Sequence, residues 1–401
     1  MTHTTPRCRR LFAAVAALAV CARLAAQTDV PITTVEGGKV AALVPIAISG
    51  FTGEADKVLK FDLEVAGFSI VPPAQARFEL VGKNGGQIEA TLKDAGKHAL
   101  FARAYPGGTP RGQAHALADD VVQTAIPGQK GIARTKIAFK ITVGQRNQRN
   151  ESVSEVFLAD YDGANAFQLT QDGSIVRSPA WQPGHRVLYY SSFRLGRACI
   201  YSHDLASGAR TAVASFNGMN DGAAVSPDGT RIAMILSKSG SPDVWVSHID
   251  GSGLKQLTTT REDEASPCWS PDGRSICFSS RAEGSTRLYV VDAGGGPMRP
   301  LNTGGVRGAT EPDWSPDGSQ IAFTRMGGRE NFQVYVVPAK GGEARAVGEG
   351  EDPTWAPNSR TLAVVRRKGS IRRLSLLDVP TGRVKDSASF SGGCSQPSWA
   401  R

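Results

Sequence analysis

Asp221, Glu264, Glu311 and Asp352 recur a few residues ahead of Val225, Trp269, Trp314 and Trp355. Carboxylates gathered around one axis can enclose a cation; single ones more simply cap turns or sit in water. The spacing leaves both open. The histidines beyond the leader, His98, His115, His185, His203 and His248, show no HExxH or comparable metal spacing, and no G-x-S-x-G elbow occurs. Cys199, Cys268, Cys277 and Cys394 form no CxxC pair, which argues against zinc. Cys268 and Cys277 flank a predicted tight turn, where either a disulfide or two separate thiols would fit. No catalytic constellation is expected, although an enzyme using channel carboxylates and imidazoles is not excluded by spacing alone.

The elements that would position these groups follow from internal repetition. Trp181, Val225, Trp269, Trp314, Trp355 and Trp399 are spaced by 44, 44, 45, 41 and 44 residues. Each unit reads as a strand ending in Trp, a Pro-Asp-Gly turn, and an alternating strand such as Ile321-Ala322-Phe323. A third strand such as Val244-Trp245-Val246 and a short fourth one ending in Gln-Leu-Thr complete it. Four strands per period of this length make one blade of a β-propeller. The last Trp has no second strand after it, whereas Ile137-Ala138-Phe139 lies upstream with no Trp segment before it. One blade is therefore expected to be stitched from both ends, giving six complete blades over residues 131–401 without an open edge.

Before the propeller, residues 41–130 read as a small α/β domain. A strand is expected over 41–48, a helix over 54–66, a second strand from Phe68, and two or three strands over 77–104 turning at Asn84-Gly85-Gly86. A second helix over 113–126 stops at Pro127-Gly128. Residues 27–40 read as an extended, flexible arm. Residues 1–26 carry Arg7, Arg9 and Arg10, then the apolar run LFAAVAALAVCA, then small residues, the pattern of an export signal. The mature protein is expected to be soluble, with no direct membrane insertion. The formal charge of +9 drops to +5 without that segment, and the remaining cations are dispersed, so nucleic acid is not an expected partner.

The motif order VPIAISGF, VAGFSIV, DVVQTAIPGQKGIARTKIAF, EVFLADYDGANAFQLT and SPAW resembles the TolB family, periplasmic components of the Tol–Pal system, over almost all of the chain beyond residue 26. The run Gly131 to Phe139 together with Asp160-Tyr161-Asp162-Gly163 carries the resemblance more specifically than the propeller repeats do. The resemblance implies a non-enzymatic scaffold, without a cofactor, acting as a monomer within a complex. It also implies a role in outer-membrane integrity and in constriction at division. The implied partners are the peptidoglycan-associated lipoprotein Pal, bound on one propeller face, and TolA, engaged by the arm from Thr28 to Gly38 through Asp29, Val30, Ile32 and Val35. The Pal face would be made by the loops leading into the first strand of each blade and those joining second to third strands. The expected contacts are Asn220, Asp221, Arg261, Glu262, Asp263, Arg281, Arg307, Glu311, Arg325, Glu351 and Asp352. Residues 72–114 look shorter than the family pattern, Gln182-Pro183-Gly184 and Pro357-Asn358-Ser359 replace Pro-Asp-Gly, and Val225 replaces one Trp. A propeller enzyme such as a lactonase, lyase or peptidase accessory, or a general envelope-binding propeller, is the alternative.

Overall fold

The structure, a computed structural model, describes residues 41–327, 332–369 and 371–401. Strand β1 (Val44–Ser49) leads into helix α1 (Gly53–Val65), which buries Ala55, Val58, Leu59, Phe61, Leu63 and Val65. Glu54 and Asp56 sit in its first turn, where they meet the positive end of the helix dipole. The helix ends at Gly67, whose φ of +93° suits glycine; a Cβ there would also collide with the guanidinium of Arg360 from the propeller. Strands β2 (Phe68–Ile70), β3 (Phe78–Asn84), β4 (Ile88–Asp94) and β5 (Ala99–Tyr105) complete a sheet of order β2-β1-β3-β4-β5. Helix α2 (Pro110–Ala125) begins three residues earlier than the apolar stripe alone indicates. Thr109 caps it by accepting the Gly112 N–H at 3.1 Å, and Pro110 occupies the first turn, where no N–H is needed.

The remaining strands form six four-stranded sheets, five in simple chain order and a sixth of order Gly393–Trp399, Lys136–Arg146, Ser152–Asp160, Phe167–Gln168. Blades 1 to 5 begin at Val176–Trp181, Asn220–Val225, Glu264–Trp269, Ala309–Trp314 and Glu351–Trp355. Blade 6 is the one stitched from both ends. The Ser-Pro-Asp-Gly turns hold themselves. In blade 3, Ser270 Oγ donates to Asp272 Oδ1 at 2.6 Å, and that oxygen accepts the Arg274 N–H at 3.1 Å. Asn358 replaces the aspartate in blade 5 and accepts the N–H groups of Arg360 and Thr361, both at 3.0 Å, so that departure leaves the turn intact. The tryptophans join blades: the Nε1–H groups of Trp269, Trp355 and Trp181 donate to the carbonyls of Ala224, Asp313 and Ser398 on the preceding blade, at 2.9, 3.1 and 3.1 Å.

A polar seam fastens the N-terminal domain to blades 5 and 6. Arg383 donates to the Phe68 carbonyl and to Glu64, and Lys385 pairs with the same Glu64 at 2.6 Å. Buried Asp62 receives the Tyr161 hydroxyl at 2.6 Å and stands 2.7 Å from His115 Nδ1. Trp399 of the closing strand donates to Thr135 at 2.7 Å, and its ring lies 6.2 Å from that of Tyr161. The apolar core of the domain continues without a break into blades 5 and 6 through Tyr161, Leu374 and Trp399. Among the described residues no helix is long and apolar enough to cross a membrane.

Candidate partner-binding face

The propeller has two mouths of different construction. At one, the Ser-Pro-Asp-Gly turns ring a cavity of about 500 Å³ lined by Pro183, Pro227, Pro271, Pro316 and the inner strands. At the other lie the hairpins between second and third strands and the loops leading into each inner strand.

Between the mouths, every inner strand carries a β-bulge. The residue that opens it, Ser178, Gly222, Ser266, Glu311, Asp352 or Gln396, has φ between +52° and +62°. Five of the six are not glycine, so each holds strain at the channel wall. The longer ones use the geometry. Glu311 Oε2 accepts the Asp352 N–H at 2.9 Å, Asp352 Oδ2 accepts the Gln396 N–H at 2.8 Å, and Gln396 Oε1 accepts the Ser178 N–H at 3.0 Å. This belt ties blades 4, 5, 6 and 1 through equivalent positions. Burial, and next the adjacent Glu311 charge, hold the Asp352 carboxyl well above the usual carboxylate range. Ser266, in a blade the belt does not reach, tests the strain: Ser266→Gly is expected to stabilise the protein by about 0.5–1 kcal/mol in urea unfolding. A loss of stability would show that the bulge is relaxed.

The belt reassigns part of the expected contact set. Glu311 and Asp352 bond across blades. Glu351 is buried against Arg367, at 2.9 and 3.1 Å, with Arg372 3.6 Å away. Asn220, expected at the surface, is fully buried; its amide donates to the carbonyls of Ala198 and Phe216 and shapes the loop leading into blade 2. Asp221 pairs with Arg177 at 2.9 Å. Arg261, Glu262, Asp263, Arg281 and Arg307 are exposed on the rim, and Arg325 is half-buried over the Tyr335 ring. The arm residues Asp29, Val30, Ile32 and Val35 lie outside the described residues.

Sequence reasoning missed the apolar residues of this face. Leu195 (65% exposed), Met219 (37%), Met326 (63%) and Ile371 (50%) all stand on its hairpins or loops. Among the described propeller residues one other large apolar side chain, Phe167 on an outermost strand, is comparably exposed. An apolar residue inside a polar tip, as in Arg194-Leu195-Gly196, was the available signal.

The channel acids face hydrogen-bond donors. Glu264 accepts the Thr258 and Thr260 hydroxyls, each at 2.6 Å. Among the described residues the one grouping close enough to hold an ion is His115, Asp160 and Asp162, at the domain seam. There Asp160 already takes Lys136 and Asn165, and Asp162 takes Arg111. Cys268 and Cys277 are directly opposed, and both are free and buried. The Ser270 N–H to Ser275 carbonyl bond two residues on makes theirs a hydrogen-bonded pair. Such pairs hold Cβ atoms near the wide limit of about 5.5 Å, whereas a disulfide needs roughly 3.5–4.5 Å.

Residues 124–401 match the family model described as the TolB beta propeller domain. The Tol-Pal system protein TolB of Anaeromyxobacter dehalogenans (strain 2CP-1 / ATCC BAA-258) is 32% identical over 302 residues, 65% of this chain and 67% of that protein. The protein of the same name from Anaeromyxobacter sp. (strain K) is 31% identical over 297 residues, 64% of this chain and 66% of the relative. These matches span about two thirds of each relative. The crystal structure of TolB from Acinetobacter baumannii superposes with a TM-score of 0.80 at 23% identity, covering 90% of this chain and 97% of that one. The nidogen/laminin complex shares the propeller fold alone, with a TM-score of 0.53 at 12% identity over 66% of this chain and 98% of that one. With its stitched sixth blade and a match over more than half of its length, this chain belongs to the TolB propeller family.

Proposed function

We propose that the protein is a periplasmic, non-catalytic scaffold of a Tol–Pal system and that it docks a Pal-type lipoprotein on the mouth formed by the second-to-third-strand hairpins. The placement of Leu195, Met219, Met326 and Ile371 on hairpins and loops of that one mouth carries the reading, because large exposed apolar side chains confined to one face mark a protein-binding surface. Relatives named as Tol-Pal system proteins support the choice of partner. Arg261, Glu262, Asp263, Arg281 and Arg307 form the polar rim. In this reading residues 1–26 direct export, the arm at 27–40 engages TolA, and the assembly supports outer-membrane integrity and constriction at division.

The test is direct binding of residues 27–401 to the soluble domain of the lipoprotein from the same envelope. Wild type is expected to bind, and Leu195→Asp or Ile371→Asp to weaken binding at least tenfold with unchanged melting. Absence of binding by the wild-type protein overturns the proposal.

A further inference from the structure

Charge on the docking mouth is divided unevenly. The hairpins of three adjacent blades, at residues 366–373, 144–151 and 193–198, hold nine arginines and lysines and one acid, Glu151. Flanking Glu351 and Asp386 each face two arginines, so a surplus of six positive charges remains. Across the mouth the chemistry is mixed: Arg261 is followed by Glu262 and Asp263, and Arg287 pairs with Glu283.

The basic arc is joined between blades 6 and 1 and raised at blade 5. Arg149 of blade 6 donates to the Gly196 carbonyl at the tip of blade 1, at 3.1 Å, which joins two of the hairpins. The blade 5 hairpin strands, Thr361–Lys368 and Ile371–Asp378, have eight residues each, whereas those of blade 2, Arg231–Leu236 and Asp243–His248, have six. Two more residues per strand lift that tip by roughly 7 Å. Two of the tips present an apolar side chain beside cations. Leu195 lies between Arg194 and Arg197, and Ile371 sits opposite Lys368 in register.

Resting on the reading of this mouth as the lipoprotein-docking face, we infer that the arc of blades 5, 6 and 1 recognises an acidic surface of that lipoprotein, with Leu195 and Ile371 inserted among its carboxylates. Like-signed charge over one half of the mouth fixes the rotational orientation of the partner and speeds encounter. Arg146, Arg149 and Lys368 are exposed and suited to steering. The inner arginines, already held by Glu351 and Asp386, supply the standing field.

The test measures association rate and Kd for residues 27–401 with the soluble lipoprotein domain at 25, 150 and 500 mM NaCl, for wild type and Arg194→Glu/Lys368→Glu. The wild-type association rate is expected to fall at least tenfold across that range. The double variant is expected to bind about tenfold more weakly at 25 mM and to show a flatter salt dependence, with the same melting temperature. Salt-independent binding, equal in the two proteins while Leu195→Asp still weakens it, overturns the arc and leaves the docking face standing. Absence of wild-type binding at every salt overturns both. A variant that keeps its lipoprotein affinity but loses binding to phosphatidylglycerol vesicles overturns the inference in favour of a membrane surface.

Discussion

A chain ending at Ser391 is expected to lose the cooperative unfolding transition of the ring. The deletion removes Gly393–Trp399 and leaves Lys136–Arg146 as a bare edge over half its length. Trp181 Nε1 and the Ser178 N–H lose their acceptors Ser398 and Gln396 at the same moment. Trp399 alone is 2% exposed, in the core shared with the N-terminal domain. Trp399→Ala should by itself cost about 3–5 kcal/mol, a large part of the roughly 5–15 kcal/mol that holds a folded protein. Calorimetry of the three proteins checks this. A truncated chain melting like wild type would mean that the closing strand contributes little.

The second large effect lies at the seam. Asp62→Ala strands the Tyr161 hydroxyl and His115 Nδ1 in a buried site. A loss of about 3 kcal/mol in urea unfolding is expected. The same clasp should be sensitive to pH. Burial raises the Asp62 carboxyl to about 6, against the opposing bonds from His115 and Tyr161. Burial by itself lowers the His115 imidazole, but its bond to Asp62 and the charges of Asp62 and Asp162 outweigh that and raise it above its ordinary value; Arg111 pulls weakly the other way. Both groups therefore hold protons more tightly folded than unfolded. Their contribution is complete below the unfolded values. It is lost first as pH rises from about 4 to 6 through Asp62, then above 6.5 through His115. Wild type is expected to be more stable at pH 5.5 than at pH 8, and Asp62→Asn to show a shallower dependence. Equal slopes in the two proteins would show that the clasp does not titrate in this range.

The propeller was legible because its determinants are local and repeated. Trp269-Ser270-Pro271-Asp272-Gly273 contains a strand end, a self-bonding turn and an inter-blade donor within five residues. Blade 6 could be assembled from two incomplete units because each lacked what the other had. The N-terminal elements followed from apolar spacing, except the start of α2, where Thr109 and Pro110 outweigh the stripe. The belt was not legible: nothing local announces that Glu311, Asp352 and Gln396 adopt positive φ, and their bonds cross 41, 44 and 218 residues. For the same reason Asn220 read as a polar surface residue when its partners bury it. Asp62 and His115, 53 residues apart on two helices, gave no joint signal.

The stitched blade also sets a clock. Ile141 pairs with Cys394, so the strand that receives the closing segment is made roughly 250 residues before it. Until that segment arrives, the ring has no means of shutting. Pairings this remote in sequence are also slow to find one another. A chain interrupted anywhere before its last blade would offer an arc with two raw ends and no mouth. On the proposed function, the surface offered to the lipoprotein would thus come into being in a single late step, and only closed rings would compete for it.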